Sequence, residues 1–168
     1  DIVCELDEEN LKLTGSETVT YYNNSPDVLR YLWLQLDENE HSTVNNANYQ
    51  TGSTLPRGNA TERTLERLAD NDEDNGYGFQ ITKLTDEAGK KLNYTINKTM
   101  MRLELPAELK PGQKFIFKLN WFYKIPDRMS MGGRGGYEYF PEDGNHLFTM
   151  AQWYPRLCVY SDFQGWQN

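Results

Sequence analysis

FIFKLNWFYKI, residues 115–125, sets Phe115, Phe117, Leu119, Trp121 and Tyr123 at every second position. Side chains alternate across a strand with a period of two, so these large apolar groups share one face of a β-strand. A helix would scatter them around its axis. Upstream, strand texture runs from Tyr77 to Leu84, breaks at DEAGK (86–90), and resumes at Leu92–Ile96 and Met101–Leu105. Pro106 and Lys110-Pro111-Gly112 are expected to punctuate before the central strand.

The beginning of the chain has the same texture. IVCEL (2–6) and LKLTGSETVTYY (11–22) flank the polar break DEEN (7–10), which reads as a hairpin. Asn23-Asn24-Ser25-Pro26 ends it with strong turn formers. In LRYLWLQL (29–36), Leu32, Leu34 and Leu36 face one side, with Tyr31, Trp33 and Gln35 on the other. Residues 37–76 are polar and almost empty of large apolar groups, a length that marks a long loop in a compact domain. Within it, TERTLERLAD (61–70) has Leu65 and Leu68 at helical spacing and is compatible with one short surface helix. After the central strand, the glycine-rich MGGRGGYEYFPEDG (131–144) leads to the aromatic passage HLFTMAQWYPRLCVYSDFQGW (146–166). Short strands separated by turn signals about every ten residues predict an all-β fold: antiparallel, sandwich-like sheets with a long polar loop and at most one short helix.

The chain has 168 residues, the size of one domain, with 17 basic and 25 acidic side chains and a net charge of -8. That sign argues against nucleic acid, whose binding rests on clustered Lys and Arg, and against anionic membrane surfaces. No apolar run approaches the roughly 20 residues that cross a bilayer. The sequence opens at Asp1 without Met and already reads as a strand at Ile2, which suits a cut or omitted leader and an envelope or secreted location. Cys4 and Cys158 can pair only if the ends of the chain meet; the plainer expectation is two unpaired, buried thiols.

Catalytic patterns are sparse. His41 and His146 stand in unlike contexts, no His-Glu-x-x-His occurs, and both read as polar surface or hydrogen-bonded loop groups. None of Ser16, Ser25, Ser42, Ser53, Ser130 and Ser161 sits in a Gly-x-Ser-x-Gly elbow. GGRGG (132–136) lacks the Gly-Lys-Ser/Thr of a phosphate cradle and reads as a flexible or tightly turning loop. Glu138 with Glu142 and Asp143 has the residue types of a glycosidase pair, but carboxylates are abundant throughout. The closing passage sets Phe148, Trp153, Tyr154, Tyr160, Phe163 and Trp166 around Gln152, Arg156 and Asp162. That pattern fits a core strand and corner, or a concave aromatic-lined surface with polar groups that fix a ligand.

LTGSETVTYYNNSPDVLRYLWLQLDEN (13–39) and YEYFPEDGNHLFTMAQWYPRLCVYSDFQGW (137–166), in this order and separation, resemble the N-terminal domain of the aminopeptidase N family of zinc metallopeptidases, bacterial members above all. Residues 37–76 contribute nothing to the likeness. The resemblance implies a β-sandwich seated on a thermolysin-like catalytic domain that supplies the zinc, its ligands, the base and the exopeptidase motif, none of which occurs in this chain. It implies that residues 1–168 are one non-catalytic N-terminal domain, cut short at its C-terminal end because the family's domain continues past Gly165-Trp166. The family reaches the substrate from this domain with one polar residue, usually Gln, before an aromatic-Pro segment. Gln152, in Ala151-Gln152-Trp153-Tyr154-Pro155, matches it, though its spacing to Asp162 is shorter than in many relatives. The implied partners are the catalytic domain of the same polypeptide and a peptide substrate, with no cofactor in these residues and zinc in the parent. A sheet lacking its last strands is further expected to expose an edge and to self-associate through it. The rival readings are a carbohydrate-binding β-sandwich, marked by a row of exposed rings, and a structural adhesion or assembly module.

Overall fold

The computed structural model describes residues 1–44, 62 and 74–167; the short helix expected at 61–70 lies outside them apart from Glu62. Two antiparallel four-stranded sheets enclose one core. The first runs in the order β1 (Ile2–Asp7), β2 (Lys12–Tyr22), β7 (Lys114–Lys124), β4 (Gln80–Asp86). The second runs β10 (Arg156–Leu157), β3 (Leu29–Gln35), β6 (Met100–Leu109), β5 (Tyr94–Asn97). Two smaller pairs complete the strands of the described residues, β8 (Gly136–Phe140) with β9 (Asn145–Thr149), and β11 (Val159–Ser161) with β12 (Gly165–Gln167). The expected all-β, sandwich-like architecture is therefore present. Besides the helical Glu62, helical structure among the described residues comprises a 3₁₀ turn, η1 (Asp37–His41), and one α-turn, α1 (Arg128–Met131). No helix among the described residues is long and apolar enough to cross a membrane.

The period-two face of the central strand is the centre of the core. Phe117, Leu119, Trp121 and Tyr123 of β7 are buried to within 1% exposure. Leu32, Leu34 and Leu36 from the β3 segment and Met101 and Leu103 of β6 meet them and are wholly buried. Trp121 stacks on Tyr123 with centroids 5.9 Å apart, and Phe79 packs edge-on against both rings.

Gly15 on β2 lies directly opposite Trp121 on β7, and Trp121 fills the space a side chain there would need. A Cβ at Gly15 would lie 2.3 Å from the Trp121 ring. The glycine is thus a steric requirement of the core.

β6 departs from expectation by running through Pro106 to Leu109. The register with β3 breaks between Leu29 and Tyr31, whose partners are Leu109 and Glu104, so Pro106 falls in the bulge. There its missing N–H removes no ladder bond. Asn23, fully buried, holds this corner by donating to the carbonyls of Asp27 and Leu109 at 2.7 and 2.9 Å. Both cysteines are unpaired as expected, and Cys158 is buried, but Cys4 is exposed because β1 is an edge strand.

Gly15→Ala is expected to destabilise the domain by about 3 kcal/mol, the upper end of the usual cost of overpacking a core. Urea unfolding checks this: the midpoint should fall with an unchanged m-value, and an unshifted midpoint would contradict the contact.

Candidate functional site

Gln152 lies in the bend between β9 and β10. Its φ of 56° places it in the left-handed region, one of the few non-glycine residues so disposed. Such a conformation costs a residue with a Cβ about 1–3 kcal/mol and persists only where the surroundings impose it. Here they do. Trp153 packs on Trp121 with centroids 6.2 Å apart and crosses Tyr154 at 5.1 Å, while Pro155 is buried. Beyond Pro155, Arg156 and Leu157 pair with Gln35 and Leu34. The Arg156 guanidinium donates through both Nε and Nη2 to Asp37 Oδ2, at 3.2 and 2.8 Å. Gln152 is therefore fixed from its C-terminal side by rings, a proline, a ladder and an ion pair, with its own side chain half-buried.

A buried polar group adjoins the bend. Glu38, on η1, has an 8%-exposed side chain, and its Oε2 has no hydrogen-bond partner among the described residues. Gly135 brings the two parts together: a Cβ built there would lie 3.5 Å from Glu38 Oε1 and 3.6 Å from the Ala151 nitrogen. Burial, with Asp37 and Glu40 close by, pushes the Glu38 carboxyl up to about 7. His41 Nε2 sits 4.0 Å from Glu38 Oε2, a distance that suggests an ion pair. Burial, however, holds the imidazole below its ordinary value despite Glu40. Burial drives both partners towards their neutral forms, which weakens any ion pair between them. The Tyr123 hydroxyl, also buried without a partner, is pushed up by burial and by Glu38.

Of the residues singled out in the closing passage, Gln152 and Arg156 are brought to this end of the sandwich and Asp162 is not; it is exposed beside Tyr160 and Ser161 in a separate, shallow recess. The histidines are not plain surface groups. His41 is mostly buried under the glycine run, where a Cβ at Gly133 would lie 3.1 Å from its Cε1, and His146 packs among Tyr137, Tyr139 and Phe148. The glycine run does turn tightly, with positive φ at Gly132 and Gly133, and then enters β8 at Gly136. Gly136 combines a φ of 133° with a virtual Cβ only 2.6 Å from the Pro126 carbonyl. Glu138 is engaged by Arg128 at 2.7 Å, while Glu142 and Asp143 are exposed in the β8–β9 turn.

Nothing in the sequence marked Glu38, since DENEH reads as a solvated acidic run; its burial comes from the closing of η1 against the glycine segment. No group of three or more His, Cys, Asp and Glu among the described residues is placed to hold a metal ion. None of the tryptophans is exposed; the most exposed rings among the described residues are Tyr22, Tyr139, Phe140 and Phe163. No family model matches this chain, and no curated protein matches it.

Glu17, 4% exposed on the inner face of β2, is the second buried carboxyl, pushed by burial up to about 7 against the opposing N-terminal amino group. Both carboxyls hold their protons more tightly folded than unfolded, where the value is 4.5. The stability they lend is complete below pH 4.5 and is lost as pH rises through about 7. Each shift corresponds to about 3 kcal/mol. Thermal unfolding is therefore expected at lower temperature at pH 8 than at pH 5, and Glu17→Gln with Glu38→Gln should flatten this dependence and raise the pH 8 midpoint. Equal slopes for the two proteins would show that these carboxyls are solvated.

Proposed function

We propose that this chain is the non-catalytic, substrate-flanking domain of a zinc aminopeptidase of the aminopeptidase N type, seated against a catalytic domain of the same polypeptide. The observation that carries the proposal is Gln152, held in a left-handed bend by the Trp121–Trp153 contact, buried Pro155 and the Arg156–Asp37 pair. A strained, multiply anchored residue with a free-ended amide suits a binding role, because a positioned group loses little entropy when it meets its ligand. The amide supplies one acceptor and two N–H donors. Its carbonyl accepts from a peptide's terminal ammonium, and its NH₂ donates to the neighbouring carbonyl. On this reading the catalytic domain provides zinc and the general base, and these residues orient the substrate N-terminus. Supporting it further, Phe79, Phe117, Trp121 and Tyr123 are buried in the core, and no tryptophan is exposed. A sugar-binding sandwich would instead present its tryptophans as open platforms.

Gln152→Ala in the intact polypeptide is expected to cost about 1–3 kcal/mol in transition-state binding, a loss of about 5- to 150-fold in kcat/KM. Gln152→Gly removes the same amide while relieving the left-handed backbone, so it should lose activity equally and keep stability within about 1 kcal/mol. Steady-state kinetics on an aminoacyl reporter measures this. A kcat/KM within twofold of the parent would remove Gln152 from the substrate site.

A further inference from the structure

The free edge of β1 has a definite chemistry. Asp1 and Thr18 exchange both backbone hydrogen bonds, at 3.0 and 2.9 Å. In an antiparallel ladder this fixes the alternation, so Val3, Glu5 and Asp7 bond β2 while the N–H and C=O groups of Ile2, Cys4 and Leu6 point away from it. No strand among the described residues lies on that side. The same residues pair with Glu17, Gly15 and Leu13, all buried on the inner face, so their side chains face inward. Yet Ile2 and Leu6 are 39% and 45% exposed, and Cys4 is exposed as well. The sheet thus presents unpaired backbone and uncovered apolar side chains at the same positions.

We propose that this edge is a strand-addition site whose partner is an extended segment of alternating apolar and basic residues. Ladder geometry supplies the first half of that description. Residues added opposite Ile2, Cys4 and Leu6 project to the inner face and extend the apolar cover there, whereas those opposite Val3 and Glu5 project outward. Charge supplies the second half. Residues 1–10 carry Asp1, Glu5, Asp7, Glu8 and Glu9 and no Lys or Arg. A second copy matches only in its apolar residues: pairing about Cys4 sets Ile2 against Leu6, but also Asp7 against Asp1, with the two Glu5 side chains on the diagonal. Between chains of net charge -8 that arrangement is repelled, since like charges facing across a ladder destabilise it. Lysine or arginine opposite Glu5 and Asp7 turns the same geometry attractive. This inference is independent of the peptidase reading.

The test uses the blocked peptide Lys-Val-Lys-Val-Lys-Val-Lys, read by amide hydrogen exchange in the whole chain. Added peptide is expected to protect the amides of Ile2, Cys4 and Leu6 at least tenfold, and its Glu-for-Lys counterpart to give none. Cys4→Pro removes an outward N–H that bonds nothing in β2 and should weaken binding at least tenfold, with Cys4→Ser unchanged. Glu5→Lys, an exposed outward position, should weaken it about as much without touching the ladder. Equal protection by the acidic peptide, or no protection at β1, would overturn the proposal. Protection that grows with protein concentration in the absence of peptide would also overturn it, assigning the edge to a second copy.

Discussion

Trp121 can lie flat across β2 because Gly15, its partner in the ladder, has no side chain. That single contact sets the spacing of much else. Trp121 stacks on Tyr123, receives the edge of Phe79 and supports Trp153. Through Trp153 it also reaches the bend that holds Gln152, so the packing of the first sheet and the position of the candidate site share one aromatic plate. Interiors packed at crystal density pass such constraints on, since no residue in the chain can shift without moving the next.

Against this apolar centre stand two buried carboxyls from separate elements. Glu17 comes from an inward position of β2 and Glu38 from η1. Among the described residues neither forms an ion pair with Lys or Arg, and burial keeps both partly protonated near neutrality. An unpaired buried carboxyl is expensive when ionised, and such groups cluster where function constrains the sequence. Glu38 lies beside Gly135, which also borders the Ala151 nitrogen. Glu17 lies opposite Ile2 on the edge strand, under the apolar strip left open there. Each carboxyl thus lies at a surface where a neighbour would alter its solvation: the proposed catalytic domain for Glu38, the proposed added strand for Glu17.

Most of the framework is legible from the sequence, because period-two apolar patterning leaves a strand only one way to face a core. The alternation in β7, the leucines of β3 and the hairpin around residues 7–10 all follow from local residue order. Gln152 and Arg156 are likewise visible as polar groups set in an aromatic passage. Local order does not reveal which distant element closes over which. The bulge that absorbs Pro106, the burial of Glu38 within an acidic run, and the left-handed bend at Gln152 all depend on contacts between residues far apart in the chain. Cys4 illustrates the same limit: its alternation is that of a core residue, and only the strand order leaves it at an edge. Side-chain periodicity is set by neighbours one and two residues away, so the sequence alone determined the strands and their inner faces. Burial of a charge, strain in a bend and exposure of an edge are set by what packs against them, so only the tertiary structure decided those.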